Sequence, residues 1–125
     1  MTVGWKLAST GWITVNSDGS LLRRSGSTTA GGALRDWQGH LLGAYTMNLG
    51  RCFITRAEIW GALKGLKLAW EACHRQVELQ LDSKTALALL LHSGRHSHQH
   101  ANLAIRFQNM LRREWYVRVT HLEPI

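Results

Sequence analysis

Val15-Asn-Ser-Asp-Gly-Ser20 is the stretch on which the fold turns. From Trp12 to Ser17 the residues alternate, with Ile13 and Val15 on one face, which is the period of a half-buried strand. Asp18-Gly19-Ser20 reads as the end of that strand, because Asp-Gly is turn chemistry. Two more acids stand at junctions. Glu58, in Thr55-Arg-Ala-Glu-Ile-Trp60, opens a helix, and Asp82, in Leu79-Gln-Leu-Asp-Ser-Lys84, ends a second strand.

Working outward, residues 1–11 read as a lead-in and residues 12–125 as one domain, the unit expected of a 125-residue chain. Leu21 to Thr29 is polar and small, a loop with two arginines. Ala30 to Asp36 reads as a strand, Asp36-Trp-Gln-Gly39 as a turn with Gly at its fourth position, and His40 to Leu49 as the returning strand. Ile59, Leu63, Leu66 and Trp70 then recur at helical spacing, so a helix is predicted over 55–73, with Thr55 and Glu58 spaced as a capping box. Val77, Leu79 and Leu81 alternate with polar residues as a fourth strand. Helices are predicted over Ser83–Leu91 and Ala101–Arg113, separated by a loop over Gly94–His100, and a fifth strand over Trp115–His121. The order βββαβααβ implies a mixed sheet, since helical crossovers link parallel strands.

Composition narrows the function classes. With 45% hydrophobic residues and six Trp the chain can bury a core and lacks the signature of disorder. A net charge of +7 and a pI near 10.3 favour a polyanionic partner, nucleic acid first. Two cysteines, with no CxxC, suggest neither a disulfide framework nor a zinc site, and a reducing compartment follows. The N-terminus has no apolar signal-like run and no segment approaches ~20 apolar residues. An intracellular protein, nuclear or cytoplasmic, neither secreted nor membrane-bound, is expected.

Three acids at junctions of so basic a chain suggest a cluster for Mg²⁺, which takes oxygen ligands. Two such ions held by carboxylates can drive phosphodiester hydrolysis. Each acid also has a bland reading: an Asp-Gly turn for Asp18, the capping box for Glu58, an N-cap for Asp82. Separately those readings suffice; jointly, in this order, the acids favour a metal cluster.

The segments together resemble the ribonuclease H family, especially plant ribonuclease H-like domains related to retroelement reverse transcriptases. The resemblance rests on Asn16-Ser-Asp-Gly-Ser20, Ala30-Gly-Gly-Ala-Leu-Arg-Asp36, Arg56-Ala-Glu58, Trp60-Gly-Ala-Leu-Lys-Gly-Leu66, Leu81-Asp-Ser-Lys84 and Val117-Arg-Val-Thr-His121, and covers roughly residues 12–123. Each motif alone is weak; their order and their intervals, 40 and 24 residues between the acids, make them specific. The resemblance implies an α/β ribonuclease H-like fold, a five-stranded mixed sheet flanked by helices. It also implies hydrolysis of the RNA strand of RNA–DNA hybrids with Mg²⁺ or Mn²⁺. Asp18, Glu58 and Asp82 would be metal-binding catalytic acids, with Asp18 bridging two ions. His121 would assist water activation or product release. Gly19 and Ser20 would approach the nucleic-acid backbone. Arg56, Ser83 and Lys84 would support the acids or touch phosphate.

The family pattern continues beyond this His with a helix carrying a fourth acid, whereas here His121-Leu-Glu-Pro-Ile125 follows and the chain ends. The expectation is a C-terminally truncated domain lacking its terminal helix, with Glu123 a weak substitute acid and a homodimer formed through the surface left open. An alternative reading is a nucleic-acid-binding module with weak or no catalysis; a structural remnant is a third. A DDE-type transposase or integrase core is disfavoured because the acids run Asp-Glu-Asp. His92, His96, His98 and His100 read as a solvated loop rather than a metal site. Trp60 and Trp70 are expected in the core, and Trp37 at the surface. Arg23, Arg24, Arg51, Arg56, Arg95, Arg112 and Arg113 carry much of the positive charge.

Overall fold

A computed structural model of the chain describes residues 8–91 and 100–122. His92, Arg95, His96, His98 and Glu123 lie outside the described residues. The elements run β1 (Ile13–Leu22), β2 (Ser27–Arg35), β3 (Leu41–Arg51), α1 (Ile54–Glu71), β4 (Gln76–Leu81), α2 (Lys84–Leu91), α3 (Ala101–Leu111) and β5 (Tyr116–His121), the order read from the sequence. They build one five-stranded sheet in the order β3-β2-β1-β4-β5. β1, β2 and β3 form an antiparallel meander, while β4 and β5 run parallel to β1 and to each other.

Ile13, Val15, Val77, Leu79 and Leu81 point to the helical side, where they meet Ile59, Leu66, Leu90 and Phe107 in one core. Most of these side chains are fully buried, each contributing roughly 1.5–3 kcal/mol. Among the described residues no helix is long and apolar enough to cross a membrane.

α1 lies very close to β1 because two of its residues lack side chains. A Cβ on Gly65 would collide with Val15 Cγ1 and stand 2.7 Å from the Tyr45 hydroxyl, and one on Gly61 would stand 2.6 Å from Ser17 Oγ. The buried Tyr45 hydroxyl donates to the Gly61 carbonyl at 2.8 Å, tying β3 to the same helix. Burial pushes the Tyr45 phenol up to about 12. On the sheet's other face Asn16 Nδ2 donates to Gln80 Oε1 at 2.6 Å and Gln80 Nε2 donates to Glu78 Oε2 at 2.7 Å, so side chains as well as backbone fix β1 against β4.

Four differences from the sequence reading bear on the site. β1 does not stop at Asp18: the ladder with β2 continues from Asp18↔Gly31 to Leu22↔Ser27, so partner pairing overrides the local Asp-Gly turn preference. The turn falls instead before Gly26, which has φ +74°, and β2 begins at Ser27 rather than Ala30. α1 begins at Ile54 after Phe53, with no side-chain cap, so the capping box of Thr55 and Glu58 is not made. The N-cap role expected as a bland reading for Asp82 falls to Ser83, whose Oγ accepts from the Ala86 amide at 3.1 Å. Trp60 and Trp70 are half-buried at the margin of the core rather than inside it.

Candidate active site

Parallel pairing of β1 with β4 ends at Ser17↔Leu81. Asp18, still paired with β2, and Asp82, just past the end of β4, are the next residues along the two chains, so they stand at the point where β1 and β4 part. α1 runs back along β1, with Gly61 over Ser17 and Gly65 over Val15, so its N-terminal turns reach the same point. Glu58 projects there. One ligand oxygen from each of Asp18, Glu58 and Asp82 lies within 4.8 Å of the others. In an octahedral oxygen shell with ~2.1 Å bonds, opposite ligands stand roughly 4.2 Å apart, so this spacing is close to what one cation would draw together.

The approach of the helix depends on Gly19. A Cβ there would lie 2.8 Å from Glu58 Cγ and 3.3 Å from its backbone nitrogen. Gly19 therefore faces α1 and makes room for Glu58, and its amide donates to Asp18 Oδ1 at 2.8 Å. Ser83 couples two elements: besides capping α2, its hydroxyl lies close enough to the Glu58 carboxylate to favour its charged form. At the end of β5, His121 Nε2 donates to the backbone carbonyl of Asp82 at 3.1 Å.

The acids are held under electrostatic stress. Burial raises Glu58 to about 7; Asp82 and Asp18 add to the rise and the Ser83 hydrogen bond opposes it. Asp82 is also raised, first by burial and then by the charge of Asp18, with its own amide and His121 pulling the other way. Such a site favours a proton or a cation.

The other expected residues surround the acids. Ser20 and Lys84 are exposed and Arg56 is half-buried. Past Asp18 the β1–β2 hairpin carries exposed Arg23 and Arg24, and exposed Arg51 donates from Nε to the Ser25 carbonyl at 2.9 Å. Phe53, 68% exposed at the mouth of α1, was not singled out by the sequence reading. An apolar residue directly before the helix, between Arg51 and Arg56, was the available signal. Nor were Gly61 and Gly65 recognised as the residues that seat α1.

Residues 16–124 match the model of the reverse transcriptase-like family. A protein of Arabidopsis thaliana, provisionally named a ribonuclease H protein, is 37% identical over 120 residues, 96% of this chain. The chain spans only 19% of that relative's length. Among solved structures, ribonuclease H1 from the halophilic archaeon Halobacterium salinarum superposes with a TM-score of 0.78 at 19% identity, covering 90% of this chain and 86% of that one. The N-terminal ribonuclease H domain of a Mycobacterium tuberculosis protein gives 0.75 at 19% identity, covering 90% and 87%. The compost-derived LC11 ribonuclease H1, solved with an RNA/DNA hybrid, gives 0.70 at 18% identity, covering 90% and 85%. The architecture is thus the ribonuclease H-like fold expected from the sequence.

Proposed function

The chain belongs to the reverse transcriptase-like family of ribonuclease H-like domains, and we propose that its acid cluster is the metal-dependent site of a nuclease that cuts the RNA strand of RNA–DNA hybrids. The observation that carries this reading is the convergence of three ligand oxygens within 4.8 Å, from a strand, a helix and a second strand. The donor set is all oxygen, which suits Mg²⁺ or Mn²⁺. Burial first, and neighbouring carboxylate charge besides, raise Glu58 and Asp82, and a divalent cation would offset that cost.

Asp18, Glu58 and Asp82 would hold the metal. When bound, a pair of such ions supplies water activation and stabilises charge on the leaving oxygen in phosphodiester hydrolysis. The chain's own residues supply the geometry. Ser83 favours the charged Glu58 carboxylate, Gly19 lets the helix approach, and His121 holds the backbone of Asp82 and places its ring beside the site. Ser20, Arg56 and Lys84 would meet the phosphate backbone. Recognition of a hybrid would rest on groove shape and the 2′-hydroxyl rather than on base sequence. The hybrid bound in the LC11 complex supports this substrate class by analogy of fold.

Three acids make up the cluster among the described residues, and that count favours a second reading, a hybrid-binding module with weak or no catalysis. One assay separates the two. A labelled hybrid is incubated with the protein in Mg²⁺ or Mn²⁺, beside an Asp18→Asn variant. Metal-dependent cleavage lost in the variant supports the nuclease; binding without cleavage supports the module; absence of binding at low salt contradicts both. We also propose that the chain pairs with a second copy through the surface beside β5, which among the described residues has a strand neighbour on one side only. A monomer in sizing experiments at high concentration would rule that out.

A further inference from the structure

A second pattern runs along α1, away from the acids. Trp60, Leu63, Lys67 and Trp70 recur at alternating three- and four-residue intervals, the spacing of a coiled-coil seam. Glu58 and Trp60 are two residues apart, about 200° around the helix axis, so the seam and the acid cluster occupy different sides of α1. Leu63 is buried, Trp60 and Trp70 are half-buried, and Lys67 is exposed. α3 lies beside this seam and leaves a groove of about 710 Å³ floored by Trp60, Leu63, Trp70 and Met110. Its rim carries four cations, Lys64, Lys67, Arg106 and Arg113, against one acid, Glu71.

The tryptophan faces are already covered. The Arg106 guanidinium lies 5.0 Å from the Trp60 ring centre, and those of Arg75 and Arg113 lie 3.7 Å and 5.2 Å from that of Trp70. Trp115 meets the Trp70 ring edge-on at 5.1 Å. Base stacking needs an open ring face, so this groove is poorly suited to a nucleic-acid strand despite its charge. A guanidinium seated on a ring still donates from its planar edge, the geometry that pairs with carboxylates. Arg106 lies on α3 and Arg113 just past its C-terminal end, and both line the groove.

We propose that the α1–α3 groove docks an acidic amphipathic helix of a partner protein, its apolar stripe against Met110 and the parts of Trp60 and Trp70 that line the groove, and its flanking carboxylates on the four rim cations. This is the helix-in-groove mode of recognition, anchored at i, i+3, i+4 and i+7. The site is independent of the nuclease reading, because it uses none of the residues assigned to it.

The test uses a fluorescent peptide of about 21 residues, long enough to be helical, with Leu at the seam positions and Glu beside them. Its controls are a scrambled peptide of equal composition and a single-stranded oligonucleotide. Anisotropy in physiological salt should show saturable binding of the heptad peptide, weakened about tenfold or more by the double variant Lys67→Glu, Arg106→Glu. A peptide with Lys in place of Glu should then bind the double variant and not the wild type, an inversion that a general loss of folding would not produce. Equal affinity for the scrambled peptide would overturn the proposal, as would binding indifferent to the charge reversal, no binding at all, or loss of oligonucleotide binding alone in the variant.

Discussion

Burial, more than its two neighbouring carboxylates, is what perturbs Glu58. Its ordinary value is 4.5 and the folded chain raises it to about 7. A folded pKa above the unfolded one means that the native state holds the proton more tightly. The stability this confers is full below 4.5 and is lost as pH rises through about 7. In metal-free protein the melting temperature of the wild type should therefore fall across that window relative to Glu58→Gln, which cannot ionise. Saturating Mn²⁺ should remove the wild type's deficit at the upper end. Parallel pH–melting curves for the two proteins without metal would refute this account of Glu58. Ser83 shows why part of the site was illegible in the sequence. Its cap on α2 is local, yet its influence on Glu58 links residues 25 positions apart that only the fold brings together.

Among the elements, α1 positions the site, and the glycines beneath it set its distance from the sheet. Gly65→Ala would ordinarily gain ~1 kcal/mol of helix propensity. Here the added methyl runs into fully buried Val15, so overpacking of ~1–3 kcal/mol should win and the variant should melt lower than the wild type. A higher melting temperature would show that α1 has room to spare. The 3.6-residue stripe of α1 and the alternation in β1, β4 and β5 were readable because each buries one face. The extent of β1 was not. Asp18-Gly19-Ser20 has turn chemistry, and only its ladder with Ala30 and Gly31 shows that the chain stays extended. Thr55 failed as a cap for a related reason: the helix starts at Ile54, and the Glu58 that would complete the capping box is directed into the site.

For the whole molecule, charge and topology act together. Parallel β1 and β4 deliver two acids to one end of the sheet, and the exposed Arg23, Arg24, Arg51 and Lys84 occupy the elements that lead to or from them. Hybrid binding should therefore be dominated by phosphate contacts, falling log-linearly with salt by about 0.9 per contact on a duplex. Lys84→Ala should weaken binding to all sequences alike and reduce that slope by about one. An unchanged slope would place Lys84 outside the interface. The order of the acids is in the chain itself, but of the two expected strand ends only Asp82 follows one, since Asp18 lies inside β1. Their convergence was an inference from family pattern, since no local signal reports the distance between Asp18, Glu58 and Asp82.

That convergence is best measured without any assumed substrate. Mn²⁺ is titrated into the protein and into Asp18→Asn while free Mn²⁺ is followed by electron paramagnetic resonance at neutral pH. The three acids predict saturable Mn²⁺ binding by the wild type and its loss in Asp18→Asn, with both proteins unfolding cooperatively. Equal Mn²⁺ binding by the two proteins, or none by the wild type, would contradict a shared cation site at Asp18, Glu58 and Asp82.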